Sequence, residues 1–118
     1  MKLLIAGSRS ITDFDLTPFI PPETEIIISG GAEGVDTLAE RYADQHRLSK
    51  LILRPQYDKY RRAAPIRRNE AMVDLADSVL VIWDGVSKGT RTTIRYAQKK
   101  QVPFTVVEVN GIPDKKLP

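Results

Sequence analysis

A chain of 118 residues with 18 Lys and Arg against 15 Asp and Glu, a net charge of +3, is long enough for one domain with its own core. It has no Cys and a single His, His46, which excludes a disulfide framework and a zinc site built on thiolates or clustered imidazoles; no metal and no cofactor are expected. There is no secretory h-region and no apolar run of about 20 residues, which predicts a soluble cytoplasmic protein without a membrane partner.

Residues 2–6, Lys-Leu-Leu-Ile-Ala, read as a buried first strand that ends at Gly7-Ser8-Arg9-Ser10. The spacing over 11–20 predicts a short helix, with Asp15 as a cap and Pro21-Pro22 as its stop. Residues 25–28 form a second apolar run, followed by Ser29-Gly30-Gly31-Ala32-Glu33-Gly34 and a helical pattern through Val35, Leu38, Ala39, Tyr42 and Ala43. A third strand is expected at 50–53, stopped by Pro55, and a mobile polar loop at 56–64. Pro65 suits the first turn of the next helix, whose apolar side is Ile66, Met72, Val73, Leu75 and Ala76. The fourth strand spans 78–83, the next helix 90–100 and the fifth strand 103–109. Residues 1–109 thus read as one domain, and 110–118 as a polar, frayed tail.

Strands alternating with helices predict an α/β fold, a Rossmann-like three-layer arrangement around a five-stranded parallel sheet. Right-handed crossovers and continuous apolar strands favour the order 3-2-1-4-5. Winding then reverses between strands 1 and 4, and ligands bind at such a switch point, outside the carboxyl ends of the strands. The loops at 7–10 and 83–90 fall there, with the loop at 29–36 beside them.

A glycine loop that opens a helix leaves backbone N–H groups unpaired and lets an anion approach them. Gly7, Ser8 and Arg9 offer a tight turn, a hydroxyl and a guanidinium fork. Gly30, Gly31 and Gly34 form a loop that is neither GxGxxG nor a Walker loop, so nicotinamide or ATP binding of those kinds is not inferred. Asp36 falls in a first helical turn, where the helix dipole favours a carboxylate. Ser87, Gly89 and Thr90 give hydroxyls and free N–H groups at a third helix start, where Thr90 also fits a plain N-cap. Trp83 is placed either to stack on a base or to pack, and Arg68 and Asn69 begin a helix that reaches the same edge. Arg54, Lys59, Arg61, Arg62, Arg67 and Arg68 fall within fifteen positions and are opposed only by Asp58, a patch suited to anions. His46, at the far end of its helix, gives no catalytic triad.

These residues resemble the SLOG superfamily, the Rossmann-like group that unites DprA-type (Smf) proteins and LOG phosphoribohydrolases. The run from Ser29 to Ala39 is similar to the Ser-Gly-x-Ala-x-Gly-hydrophobic-Asp-x-x-Ala stretch of DprA proteins. Arg68-Asn69-Glu70-Ala71-Met72 followed by Ala76-Asp77 is similar to the Arg-Lys-x-x-Met…Ser/Ala-Asp stretch of LOG enzymes. Gly85 to Thr90 sits where those enzymes carry Pro-Gly-Gly-x-Gly-Thr-x-x-Glu. The overall likeness, with Gly-Ser-Arg at the start and Gly-x-Ser-x-Gly-Thr later, is greatest to the small stand-alone YspA/YpsA-like members. The resemblance implies a nucleotide or nucleotide-derived ligand; the leading expectation is a sensor or sequestering module, with assembly into a homo-oligomer left open. It also implies two alternatives: an N-glycosidic hydrolase of nucleoside monophosphates, as in LOG enzymes, and a single-stranded DNA-binding module, as in DprA, for which Tyr57 and Tyr60 lie among the arginines. The LOG glutamate three residues after the Gly-Thr pair is Thr93 here. Glu33 and Asp84 are the carboxylates left as catalytic candidates.

Overall fold

A computed structural model describes residues 1–109. The expected tail at 110–118 lies outside the described residues. Five parallel strands, β1 (Lys2–Gly7), β2 (Ile26–Ser29), β3 (Ser49–Ile52), β4 (Ser78–Trp83) and β5 (Phe104–Glu108), form one sheet in the order β3-β2-β1-β4-β5. Four α-helices connect them among the described residues: α1 (Val35–Gln45), the short α2 (Tyr57–Tyr60), α3 (Ala64–Leu75) and α4 (Lys88–Lys100). None of these helices is long and apolar enough to cross a membrane.

The apolar runs are split by the two-residue period of the strands. Leu3, Ile5, Ile27, Leu80 and Ile82 face one way and pack on Val35, Ala39 and Ala43 of α1. Leu4, Ala6, Ile28, Val79 and Val81 face the other way and pack on Met72 and Val73 of α3 and Ala97 of α4. Helices therefore cover both faces, and the side they cover changes between β1 and β4. The register pairs Leu3 with Ser78 and Gly7 with Ile82, so the two loops that flank the switch point leave the sheet side by side.

Two segments differ in kind from the sequence expectation. The helix expected at 11–20 is an irregular segment holding one turn of 3-10 helix, Thr17–Phe19. Its apolar residues are anchors rather than a helical stripe: Ile11 and Leu16 are buried against the α1 side of the sheet. The Asp15 side chain accepts the Thr17 N–H at 3.0 Å, a local bond that competes with helix, and Pro18 supplies no N–H. The loop expected at 56–64 is α2 followed by a 3-10 turn, Arg61–Ala63, that runs into α3. Two N–H groups, of Lys59 and Tyr60, close on the Gln56 carbonyl, and Arg61 at φ 54° breaks the continuity.

Candidate functional site

The exits of β1, β2 and β4 and the first turns of α3 and α4 surround a cleft of about 500 Å³. Of the expected site residues, Gly7, Arg9, Arg68, Asn69, Asp84, Ser87, Gly89 and Thr90 line it. The remaining expected residues, Ser8, Gly30, Gly31, Gly34, Trp83 and Glu33, are not among its lining residues; all but Glu33 build the frame around it.

Ser8 is 1% exposed and joins three elements. Its Oγ accepts the Asp84 N–H at 3.0 Å, its own N–H donates to the Ile82 carbonyl at 3.1 Å, and its carbonyl accepts the Val35 N–H at 3.3 Å. Gly34 has φ +72°, and a Cβ there would stand 2.5 Å from the Ser8 and Arg9 carbonyl oxygens, so this position admits only glycine without displacement of the backbone. Trp83 packs rather than opening onto the cleft: its Nε1 donates to the Ser87 carbonyl at 3.1 Å, and the Arg91 guanidinium lies 5.6 Å from its ring centroid. Glu33 is exposed.

Arg68 is the hinge between frame and cleft. Its Nη1 donates to the Gly30 carbonyl at 2.6 Å and to the Leu53 carbonyl at 3.4 Å, and its Nε to Asn69 Oδ1 at 2.9 Å. Its Nη2 makes no hydrogen bond among the described residues, leaving donors for a ligand. Burial holds the guanidinium below the usual arginine range, with the Asp36 carboxylate opposing that shift. A Cβ on Gly30 would meet Arg68 Nη1 and Asp36 Oδ2, each at 2.9 Å. The bare glycine is what lets the two charged groups close over the β2 exit.

α4 begins at Lys88, two residues before the expected start, with Ser87 rather than Thr90 at the N-cap. The Ser87 hydroxyl makes no capping bond; it contacts the Thr90 hydroxyl at 3.2 Å. The N–H groups of Lys88, Gly89 and Thr90, which have no partner within a helix, are left without a side-chain cap. A Cβ on Gly89 would meet nothing within 4 Å.

The two carboxyls in the cleft differ. Asp84 Oδ1 accepts the N–H groups of Val86 at 2.9 Å and Ser87 at 2.8 Å, and Oδ2 accepts the Ser10 hydroxyl at 3.1 Å. Burial pushes this carboxyl up, but those donors outweigh it and hold it below the usual range. Asp36 is pushed up by burial, against the Ala32 N–H and Arg68. Asp36 also lines the cleft, as do Ser10 and Thr93, and none of these three was a candidate from sequence. A signal for Asp36 was present: a carboxylate two residues past a loop glycine, at the exit of the strand next to the switch point. The helix-dipole reading accounts for that position equally well.

Among the described residues no group of three or more His, Cys, Asp and Glu is placed to hold a metal ion. On the outer side of Arg68, Arg54, Gln56, Tyr60 and Arg67 line a second hollow of about 400 Å³. Tyr57 beside it is 57% exposed, and Lys59 and Arg67 stand 5.1 and 5.8 Å from the Tyr60 ring centroid.

The fold and the position of the cleft define a Rossmann-like α/β domain with a switch-point site. Comparison with protein-family models, with curated proteins and with solved structures finds no match to this chain.

Proposed function

We propose that this domain binds a nucleotide or nucleotide-derived ligand, as a sensor or sequestering module, with a phosphate at the start of α4. The observation that carries the reading is the uncapped α4 N-terminus opening on a cleft that Arg9 and Arg68 also line. The resemblance to the SLOG superfamily supports the same ligand class. A thermal-shift screen over nucleoside mono-, di- and triphosphates tests it, since a ligand at 100 times its Kd stabilises by ~2.7 kcal/mol. Gly89→Val is expected to abolish binding in a folded protein, because a bulky side chain would stand at the helix start beside the free N–H groups, where a Cβ meets no protein atom within 4 Å. Binding unchanged in that variant, or a screen without any stabilising nucleotide, would sink the proposal.

Turnover is the less favoured form of the reading. Asp84 is held ionised by its donors and Glu33 is not a lining residue, so neither is poised to donate a proton. General acid–base help is typically worth ~100- to 10,000-fold, so free base should emerge slowly from nucleoside monophosphates followed by chromatography. Rapid release that disappears in Asp84→Asn or Glu33→Gln would establish a hydrolase instead.

The basic, aromatic surface around Tyr57 and Tyr60 favours a second reading, binding of single-stranded nucleic acid. Its mark is an oligonucleotide affinity that falls steeply with salt.

A further inference from the structure

The place of Asp36 in a first helical turn accounts for a carboxylate there but not for its unpartnered oxygen beside the cleft. Asp36 is 8% exposed, yet it lines the cleft. Its Oδ2 accepts the Ala32 N–H at 3.1 Å, while Oδ1 has no hydrogen-bond partner and is not among the fully buried unpaired atoms. A carboxylate oxygen at the cleft wall is thus left with open acceptor capacity. Asp36 lies at the exit of β2, and the α4 N-terminus at the exit of β4, with β1 between them. Neighbouring strands are about 4.8 Å apart, so the two exits stand roughly 10 Å from each other. One end of the cleft therefore attracts an anion, and the other offers a carboxylate oxygen that accepts a hydrogen bond. Arg68 lies near Asp36, with Gly30 between them, and balances its charge, so the group that completes Oδ1 is best a neutral donor.

We propose that Asp36 accepts a sugar hydroxyl of the ligand, so that the site selects a ribonucleotide over its deoxy counterparts. This rests on the nucleotide reading above and narrows it. In dinucleotide-binding βαβ units a carboxylate downstream of the phosphate loop takes a ribose hydroxyl. Here the loop that holds the phosphate follows β4, and the carboxylate stands across β1 from it. A phosphate anchored at α4 places its sugar toward Asp36, where a hydroxyl donates to Oδ1. A ligand without that hydroxyl leaves Asp36 Oδ1 without a donor.

The test is calorimetry with the four ribonucleoside 5′-monophosphates and their 2′-deoxy and 3′-deoxy counterparts, on wild type and on Asp36→Asn. A hydrogen bond to a charged group implies a ribo preference of about tenfold or more in wild type. Asp36→Asn should lose the preference by weakening only the ribonucleotides, whereas a merely structural role would weaken every series alike. In wild-type protein the Asp36 carboxyl carbon resonance should move with the ribonucleotide and stay with the deoxy form that lacks the contact, a readout that needs no variant. Equal affinities in wild type, a preference that survives Asp36→Asn, or an unmoved resonance would overturn the assignment and leave the nucleotide reading standing. Failure of every nucleotide to bind wild type would overturn that reading, and this one with it.

Discussion

α1 and α4 both open after a glycine loop at the same edge of the sheet, yet one start is sealed and the other open. At α1, Gly34 is pressed against the Ser8 and Arg9 carbonyls, the Val35 N–H is bonded to Ser8, and the Asp36 side chain turns back to the Ala32 N–H. At α4, Ser87 caps nothing and Gly89 faces open space. The two loops look alike in sequence because glycine serves close packing and ligand approach equally well. What separates them is what a side chain would meet at each glycine.

The sharpest way to break this contrast is one substitution made twice. Gly34→Ala forces a side chain onto a left-handed residue and into two carbonyls. Left-handed strain of ~1–2 kcal/mol and overpacking of ~1–3 kcal/mol together predict a stability loss of several kcal/mol in urea unfolding. A variant within about 1 kcal/mol of wild type would show that the α1 start is not sealed by packing. Arg68→Ala ranks next, because it removes both the ties to Gly30 and Leu53 and the free Nη2. A charge-assisted contact of ~1.5–3 kcal/mol predicts a nucleotide affinity lowered ~10- to 150-fold. Arg68→Lys should restore only part of it, since the fork is lost. Calorimetry that finds Arg68→Ala as tight as wild type would confine the residue to the frame.

The two carboxyls sharpen the same contrast through pH. Asp36 titrates above the ordinary 3.8 in the folded protein, so its contribution to stability is full below that value and is lost as pH rises through its raised pKa. Asp84 titrates below 3.8, so its contribution is present above that value and is lost as pH falls through its lowered pKa. Urea unfolding should therefore show Asp36→Asn gaining on wild type as pH rises above 3.8, and Asp84→Asn losing ground as pH rises toward 3.8 from below. Parallel curves for the two variants would contradict both assignments. The smallest effect belongs to Gly89→Ala, which should stabilise by ~0.5–1 kcal/mol through helix propensity alone. Destabilisation there would mean that the α4 start is as crowded as the α1 start.

The sheet order and the gathering of the glycine loops at one edge were legible because buried parallel strands write themselves as apolar runs and right-handed crossovers leave few topologies. The segment at 11–20 was not, because Ile11 and Leu16 reach the core from an irregular backbone and mimic a helical spacing. The site was half legible. Arg68 and Gly89 stand at the cleft as expected, but Ser8 and Trp83 spend their polar atoms on neighbouring loops, which only the distances to Asp84 and Ser87 disclose. Asp36 was read for its helix position, since burial beside Arg68 depends on a contact between residues far apart in sequence.

The seam between β1 and β4 also orders events in time. Leu3 lies beside Ser78 and Leu4 beside Val79, so the first strand waits for most of the chain before its inner neighbour exists. Pairings this distant in sequence are slow to form, because the intervening chain must be ordered before the contact returns anything. The cleft takes its walls from both sides of that seam, so the half that is synthesised first holds Arg9 and Asp36 with no opposing helix start. On the proposed function, ligand binding would report on completed folding, because the last central strand to pair, β4, also carries the loop that leads into α4.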